Sequence, residues 1–505
     1  MIQTDRKELT LQEKTGQMLC FSFHGTTYNE QLKTLIEEMK IGNIVHFARN
    51  IIHPAQVTAL NQAMQDHARI PLFISLDQEG GMVRRITGEM TYLPGAMSLA
   101  ASKEREVRSL YRQVGRELKA MGFSVNYAPV ADINNNINNP VINSRSYGDD
   151  PQEVAHFVKE AFLGFQDAAI LPTVKHFPGH GDTAVDSHLG LPVVSKSLAD
   201  LKKVELVPFK EAIDVGLDGI MVAHILFDQL DDTYPSTLSY PIITKLLKEE
   251  LGFKGLITTD SLTMAAVWRR FSVEEIIKKG VLAGNDILVF CGEATLAMQQ
   301  EIASTFIRLV ETGEIPLSRV EESVAKILHL KERYTKKEKQ GFTPVSTLPL
   351  VEQSITKVKD GGLLPLSPSK KNLLVFPLIK LGSLVDDFTK ETTSFRTFLQ
   401  MDEVIVAGEE EMEKVVQIAP NYDTIVIGTY QMRENDLTHQ LIKRLDGSKL
   451  IVAALRSPYD LVLVKHANSL LCTYDCTKES LASLAKRLMD NQFEGKAPIY
   501  LEGIK

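Results

Sequence analysis

Short apolar, β-branched runs recur eight times in the first 290 residues, with amphipathic helical stretches between them. Near-continuous apolar runs are typical of strands buried on both faces, as in parallel sheets built from strand–helix–strand units. The runs occupy residues 16–23, 41–48, 71–77, 123–129, 170–177, 218–224, 255–260 and 285–290. Eight such units predict an α/β fold of the (β/α)8 TIM-like barrel type, which takes roughly 250 residues plus insertions. An open doubly wound sheet fits less well, because no G-x-G-x-x-G follows the first run.

A second α/β pattern follows a basic, polar stretch at residues 331–344. Its apolar runs predict five strands of a smaller open α/β sheet, at residues 372–378, 402–408, 422–430, 449–455 and 468–474. A chain of 505 residues also exceeds the size at which one hydrophobic core keeps growing. We therefore expect a catalytic barrel over residues 1–335, a linker over 336–368 and a C-terminal α/β domain over 369–505.

Composition and charge narrow the class of partner. The formal net charge is −8, and no dense block of Lys and Arg occurs, which argues against nucleic acid or an anionic membrane as partner. No run of eighteen apolar residues is present, and the N-terminus begins with a helix capping box at Thr10–Glu13 rather than a signal-peptide pattern. The four cysteines have neither zinc nor redox spacing. These features predict a cytoplasmic protein.

Polar residues stand at the C-terminal ends of several predicted strands: Asp77, Lys175, His176, His224 and Asp260. In a barrel of parallel strands those ends meet at one mouth, which is where barrel enzymes place their chemistry. Residues far apart in sequence are therefore expected to share one pocket.

The stretch KHFPGHGDTAVDSHLG at residues 175–190 allows three interpretations. A metal site is weakly supported, because Phe177-Pro178-Gly179 interrupts the helix that the spacing of His176 and His180 would need. A phosphate cradle lacks the Lys and Ser/Thr that follow such loops.

The third interpretation of this stretch is an acid/base device. Asp186 can orient the ring of His188, and imidazole titrates near working pH. A purely structural role in capping and loop tethering remains the alternative for a dyad of this spacing.

Two further segments carry charged candidates. Asp260 in ITTDSLTM either caps a helix or attacks an anomeric carbon, since a glycosidase needs a carboxylate as nucleophile or base. In LDQEGGMVRR (76–85), Asp77 and Arg85, together with Arg145 of NSRSYG, combine carboxylate and guanidinium groups that suit sugar hydroxyls. An internal salt bridge between two loops is the structural alternative.

Taken together, the motifs DQEGG, APVADIN, NSRSYGDDP, KHFPGHGDTAVDSHLGLP, MVAH, PSTLS and TTDSLTM resemble the family 3 glycoside hydrolases. The resemblance covers residues 10–330 and is to the bacterial β-N-acetylglucosaminidases that recycle cell-wall fragments, in their two-domain form. It implies that Asp260 is the nucleophile, His188 the acid/base and Asp186 its orienting partner. The residues implied to bind the sugar are Asp77, Arg85, Arg145, Lys175 and His176.

The resemblance further implies a retaining hydrolase without cofactor or metal, acting on N-acetylglucosaminides such as muropeptides, as a monomer or weak dimer. Met82, where many relatives have arginine, and Ser261, where many have a second aspartate, are expected to affect substrate preference. Two alternatives remain open. The first is a phosphorylase, since a histidine acid/base would not repel an incoming phosphate acceptor as a carboxylate would. The second is a non-catalytic sugar-binding protein that keeps the barrel. His180 has no assigned role.

Overall fold

A computed structural model describes residues 9–184, 186, 190–292, 294–336, 341–379 and 394–504. Seventeen β-strands lie in these ranges, and eleven of them belong to the N-terminal half of the chain. These eleven are β1 Leu19–Phe21, β2 Asn43–Val45, β3 Phe73–Leu76, β4 Val125–Asn126, β5 Leu171–Pro172, β6 Val174–Phe177, β7 Val193–Val194, β8 Gly219–Val222, β9 Leu226–Phe227, β10 Leu256–Thr259 and β11 Leu288–Phe290. Each of the eight predicted apolar runs contains at least one of them.

These strands form a closed parallel barrel. One sheet has the order β11-β1-β2-β3-β4-β5 and a second has the order β10-β8-β6, with every pairing parallel. β5 and β6 are two parts of one strand interrupted at Thr173, and a bridge between Thr258 and Ile287 joins β10 to β11. The predicted (β/α)8 barrel is thereby confirmed, with β7 and β9 paired outside the ring.

Helices separate the barrel strands and cover their outer face. The α-helices are α1 Leu11–Gln17, α2 Glu30–Lys33, α3 Pro54–His67, α4 Ala96–Ala101, α5 Arg108–Ala120, α6 Pro151–Asp167, α7 Leu198–Leu201, α8 Val207–Val215, α9 Ala265–Trp268, α10 Val273–Ala283, α11 Leu296–Glu311, α12 Leu317–Tyr334, α13 Leu348–Ser354, α14 Glu409–Ile418, α15 Leu437–Arg444 and α16 Lys478–Asp490. Two π-type helices span Thr34–Glu38 and Pro241–Glu250.

Local sequence explains where these helices begin. Thr10 accepts a hydrogen bond from the backbone N–H of Glu13, whose carboxylate accepts the N–H of Thr10, so the predicted capping box is present. The Asp150 carboxylate caps α6 by accepting the N–H groups of Gln152 and Glu153, and Pro151 occupies the first helical position, where a missing N–H costs nothing. None of the helices in the described ranges is long and apolar enough to cross a membrane.

A smaller open sheet forms the C-terminal domain. Its strands are β12 Thr356–Lys359, β13 Asn372–Pro377, β14 Asp402–Val406, β15 Thr424–Thr429, β16 Leu450–Ala454 and β17 Ser469–Cys472, in the order β12-β17-β16-β15-β13-β14. Five strands are parallel, as the apolar runs predicted, and β12 pairs antiparallel with β17. Since β12 and α13 lie in the range that we expected to be a linker, 336–368, we propose that the second domain begins near α13.

The two domains share a packed interface. Met97 and Ala101 of α4 lie in one hydrophobic core of the second domain, and Met82, from the turn after β3, lies in the other. The Met82 sulfur is 3.7 Å from the Cys476 sulfur. Arg84 reaches the carboxylate of Glu479 at 3.7 Å and lies over the ring of Tyr92. The second domain therefore packs directly against the loop that follows the third barrel strand.

Candidate active site

The carboxyl ends of the barrel strands surround one cavity of about 710 Å³. The charged and imidazole side chains that line it come from at least five βα loops, and they include six of the eight residues predicted for the site. These six are Asp77, Arg85, Arg145, Lys175, His176 and Asp260. The cavity therefore brings together residues separated by as many as 183 positions in the chain, because parallel barrel strands end at the same face.

A buried network of charges forms one wall of this cavity. Lys175 lies in β6. Its Nζ donates a hydrogen bond to the carboxylate of Asp77 at 2.7 Å and lies 2.6 Å from a carboxylate oxygen of Glu79. Arg145 binds the same Glu79 carboxylate through two hydrogen bonds of 2.9 and 2.8 Å. Arg85 reaches the other oxygen of Asp77 at 3.3 Å. The predicted sugar-binding cations are thus held in place by two carboxylates.

The balance between burial and charge keeps this network ionised. Burial alone would raise the pKa of Glu79, but the positive charges of Arg145 and Lys175 outweigh it and hold the pKa well below its usual value. Burial alone would likewise lower the pKa of Lys175, and Asp77 and Glu79 outweigh it, so that its pKa lies above the usual value. The three cations and two carboxylates carry one net positive charge toward the cavity.

A second buried carboxylate organises the two histidines of the next loop. Asp132 accepts hydrogen bonds from the ring nitrogen Nδ1 of His176 at 2.6 Å, from the backbone N–H of His176 at 3.2 Å and from that of His180 at 2.6 Å. Burial would raise the pKa of Asp132, but His176 outweighs this and lowers it. His176 is consequently fixed in orientation, with Nδ1 directed away from the cavity that its ring lines.

His180 also lines the cavity, and its ring nitrogen Nδ1 lies 2.8 Å from the hydroxyl of Thr183. Burial, reinforced by His176, lowers the pKa of His180 to about 4, so its ring is neutral near pH 7. The metal interpretation of His176 and His180 finds no support in the described parts of the chain, where no group of three His, Cys, Asp or Glu side chains could hold a metal ion.

The loop after β6 is pressed against the neighbouring strand end. A Cβ added to Gly181 would lie 1.6 Å from the carbonyl oxygen of Ile133, a distance that no side chain could occupy. Asn139 then holds the loop from the other side, because its side-chain N–H groups donate to the carbonyls of His180 and Gly181 at 2.8 and 2.9 Å. Glycine at this position lets the loop return close to the barrel before it reaches Asp186.

Asp260 directly follows β10 and is partly exposed to the cavity. Its carboxylate oxygen Oδ1 accepts the backbone N–H of Ser261 at 2.7 Å. His224, which follows β8, is buried and reaches the Ser261 carbonyl through Nε2 at 2.8 Å, while its Nδ1 lies 2.8 Å from the Thr237 hydroxyl. His224 therefore positions the backbone beside Asp260 instead of facing the cavity.

The predicted acid/base pair is only partly described. Asp186 is half-buried, its carbonyl oxygen accepts the N–H of Gly190 at 3.0 Å, and it is not among the described residues that line the cavity. His188 lies outside the described residues. Its role as proton donor stays a prediction from the sequence.

The opposite wall of the cavity is apolar and basic. The indole of Trp268 and the thioethers of Met264 and Met298 line it, and the exposed side chains of Arg49 and Arg269 lie at its rim. Arg49 is oriented by the carbonyl oxygen of Gly292, to which Nη2 donates at 3.0 Å. An aromatic face beside cations at a cavity edge can bind a sugar ring that carries a carboxylate.

Two positioning residues were missed in the sequence. Glu79 was quoted within LDQEGG and Asp132 within APVADIN, but neither was given a role. The signal for Glu79 was an acidic residue two positions after Asp77, just before a Gly-Gly turn that brings the chain back toward Arg85. The signal for Asp132 was a lone carboxylate in an otherwise apolar stretch, since a buried charge requires partners. Met82, expected to affect substrate preference, packs against the second domain, and its effect on substrate stays a prediction.

A closed parallel barrel with a carboxylate at the end of its seventh strand, facing a pocket of ordered cations, defines an enzyme of the barrel glycoside hydrolase class. The chain belongs to glycosyl hydrolase family 3: the "Glycosyl hydrolase family 3 N terminal domain" matches residues 10–330.

Relatives extend this assignment over both domains. "Beta-hexosaminidase A" of Pseudoalteromonas piscicida is 30% identical and aligns with 89% of this chain and 85% of its own length. "Beta-hexosaminidase" of Nitrosomonas eutropha is 31% identical over 63% of this chain, which is 93% of that protein. Nearly the whole of that relative thus matches somewhat less than two thirds of this chain.

Solved structures give the same result for the fold. A family 3 β-N-acetylglucosaminidase from Paenibacillus sp. str. FPU-7 superposes with a TM-score of 0.90 at 34% identity, covering 98% of this chain and 99% of that one. A beta-glucoside phosphorylase, BglX, superposes with a TM-score of 0.83 at 22% identity over 98% of this chain and 95% of that one, and shows the fold alone.

Proposed function

We propose that this glycoside hydrolase is a retaining exo-β-N-acetylglucosaminidase, which releases terminal N-acetylglucosamine through a covalent glycosyl-enzyme. The observation that supports it best is the convergence of Asp260 with Asp77, Arg145 and Lys175 on one cavity. The relatives named β-hexosaminidase and the β-N-acetylglucosaminidase structure favour the acetylated sugar.

In this proposal Asp260 attacks the anomeric carbon of the bound sugar. Its Oδ1 is held by the N–H of Ser261, so the carboxylate needs little reorganisation before attack. The bond from the anomeric carbon to the leaving oxygen breaks as the Asp260 ester forms, and water later hydrolyses that ester. The sugar hydroxyls and acetamide are bound by the residues of the charged wall and the neighbouring histidine: Asp77, Arg85, Arg145, Lys175 and His176.

His188 donates the proton to the leaving oxygen and then removes one from the attacking water, with Asp186 orienting its ring. We place this pair on the loop that Gly181 and Asn139 hold against the barrel.

For the leaving group we propose cell-wall muropeptides or related glycosides. Arg49 and Arg269 at the cavity rim support this, since a muramyl aglycone carries carboxylates that two exposed cations would attract.

The nucleophile is tested by Asp260→Asn. We expect turnover of an aryl N-acetyl-β-glucosaminide to fall at least about 10³-fold, because the amide cannot form the ester. Asp214→Asn is the matched control, since Asp214 is exposed on α8 and pairs only with Lys210 among the described residues. Wild-type turnover by Asp260→Asn would refute the assignment. NMR of the first product should show the β-anomer of N-acetylglucosamine, and release of the α-anomer would refute retention.

The acid is tested by His188→Ala with two leaving groups. An alkyl aglycone needs protonation, so its turnover should fall by about 10²–10⁴-fold. A nitrophenyl aglycone leaves without help, and its glycosylation step should change little. Equal losses for both would contradict the role of His188. Adding phosphate to the wild-type assay should yield free sugar only, and a sugar 1-phosphate would favour the phosphorylase alternative.

A further inference from the structure

A second large cavity, of about 990 Å³, lies between the barrel and the C-terminal domain. One side is formed by barrel residues 137–143 together with Ala184, and the other by loops that follow strands of the second sheet. Those loops follow β13, β14, β15 and β16, and contribute Leu378, Ala407, Tyr430 and Ser457. We call this cavity the interdomain crevice.

The interdomain crevice lies where an open α/β sheet is expected to bind a ligand. Within the second sheet, β13 pairs with β14 on one side and with β15 on the other, so the chain changes direction of winding at β13. Loops after neighbouring strands therefore diverge at this point and leave a gap outside the carboxyl ends of the strands. Residues from the loops on both sides of β13 line the crevice.

The crevice floor contains one buried acceptor atom, Asn143 Oδ1, for which the described residues supply no hydrogen-bond partner. Asn143, 4% exposed, donates through Nδ2 to the Ser457 hydroxyl at 2.9 Å. Asp460, 2% exposed, accepts the N–H of Met432 at Oδ1 at 3.0 Å and is also hydrogen-bonded by the side chains of Thr429 and Ser457. An unsatisfied buried acceptor is costly, and a ligand with hydroxyl or amide donors would satisfy Asn143 Oδ1.

Acidic residues outnumber cations in the crevice lining, where Arg433 is accompanied by Glu434, Asp436 and Asp460, and this balance disfavours an anion. The loop that follows β14 leads into α14, whose first turn consists of Glu409, Glu410 and Glu411. Asp436 also lines the crevice, and its carboxylate is engaged by the N–H groups of Arg433 and His439 at 2.7 and 3.2 Å. A nucleotide or phosphate would therefore meet negative charge at the helix end that usually attracts it.

The remaining lining is suited to a sugar. Tyr430 and Tyr459 contribute aromatic surface, and Ile137 and Leu378 contribute apolar surface that is otherwise exposed. Sugar rings present apolar C–H faces together with hydroxyl donors, which is the combination that this lining and floor would satisfy. We propose that the interdomain crevice is a second binding site for a neutral carbohydrate of one or two rings, separate from the catalytic cavity.

One segment of chain contributes residues to both cavities. Val141 and Arg145 line the catalytic cavity, whereas Pro140 and Asn143 line the crevice. Both sites can therefore be observed in one sample with probes on either side of this segment.

Methyl NMR with ¹³C-labelled methionine tests the proposal, because Met432 lines the crevice while Met264 and Met298 line the catalytic cavity. On titration with N-acetylglucosamine we expect the Met432 signal to shift and saturate, with a dissociation constant of about 1 mM or below. Ala407→Trp should abolish the Met432 shift and leave those of Met264 and Met298, because Ala407 is an exposed crevice residue. Ala55→Trp, on the far surface of α3, is the matched control.

Thr438→Arg, which fills the crevice from α15, provides a second variant if Ala407→Trp does not fold. The proposal is overturned if Met432 does not respond, if its shift grows linearly without saturation, or if both crevice variants keep the response. A response to inorganic phosphate but not to N-acetylglucosamine would also overturn it. A shift at Met432 with none at Met264 or Met298 would support the crevice and refute the proposed substrate of the catalytic cavity instead.

Discussion

Glu79 lies behind the cavity wall and holds two of the residues that we propose to bind the sugar. Its carboxylate joins Arg145, 66 positions later, to Lys175, 96 positions later, and both cations line the cavity. Asp77 alone could not balance three cations at this wall. The sequence predicted Asp77 and the three cations, but a pairing across such distances leaves no local pattern, so their common partner was missed.

We expect Glu79→Gln to weaken substrate binding more than chemistry. The amide leaves Asp77 as the one carboxylate for Arg85, Lys175 and Arg145 at this wall, and removing one partner from a buried pair costs about 3–5 kcal/mol. In steady-state kinetics on an aryl N-acetylglucosaminide, KM should rise by about 10-fold or more, with a smaller change in kcat. Glu332→Gln, an exposed change on α12, is the control. An unchanged KM would show that Arg145 and Lys175 keep their positions without Glu79.

The histidine-rich loop was predicted in part for a similar reason. His176 was expected to face the sugar, and it does line the cavity. The function of His180 was left open, and the structure shows that its backbone N–H binds Asp132 while its ring meets Thr183. The contact with Asp132 joins the loop after β4 to a loop 48 residues later, which spacing within one loop cannot reveal.

At the scale of elements, the strand that precedes Asp260 is held unevenly. β10 pairs with β8 over four residues but meets β11 at one bridge. Asp286 strengthens that weaker side, because its carboxylate accepts the N–H of Ile257 at 3.0 Å and the Ser323 hydroxyl at 2.7 Å. Lys326 of α12 binds the same carboxylate at 2.8 Å. The last helix of the barrel thus helps to position the strand that carries the proposed nucleophile.

We expect Asp286→Asn to destabilise the barrel by about 3 kcal/mol at pH 7, since Lys326 and Arg319 lose a buried counter-ion. Burial would raise the pKa of Asp286, but these cations outweigh it and lower the pKa. A lowered pKa in the folded state contributes stability above the usual aspartate range, near pH 4, which is lost as pH falls through the folded value.

Thermal unfolding from pH 7 to pH 3 measures this contribution. The wild-type Tm should fall more steeply below pH 4 than that of Asp286→Asn, and the two should converge. Asp214→Asn should follow the wild-type profile. Parallel profiles for wild type and Asp286→Asn would contradict the assignment.

The sequence predicted strands best where they are buried on both faces. All eight barrel runs and the five parallel strands of the second sheet are near-continuous apolar runs, and each was recognised. β12, with the sequence TKVK, was missed because it is an antiparallel edge strand with mostly half-exposed residues. It therefore lacks the apolar run on which the other predictions depended.

At the scale of the whole molecule, the second domain supports the turn that carries Glu79. Gly80 and Gly81 adopt positive φ angles of 109° and 55°, so that the chain turns sharply and Met82 enters the core of the second domain. A Cβ on Gly81 would approach Gly95 at 2.8 Å and the Asp475 carboxylate at 3.2 Å. Cys476 packs against Met82 from the same loop of the second domain.

We expect Met82→Ala to affect both stability and substrate binding. The cavity left behind should cost about 2–5 kcal/mol, and the loosened turn should lower kcat/KM by up to about 10²-fold through displacement of Glu79. Met489→Ala is a matched change in α16, on the same core but away from the turn. It should lower the Tm without changing kcat/KM. Equal kinetic effects of both variants would show that the turn does not depend on Met82.

The apolar contacts of Met82, Met97 and Ala101 with the second domain also limit how far this enzyme can be shortened. A barrel cut free of the second domain would carry these side chains on its surface, beside a turn after β3 that had lost its support. Design of a minimal catalytic module from this chain would therefore require polar replacements on α4 and a different residue at position 82, chosen together.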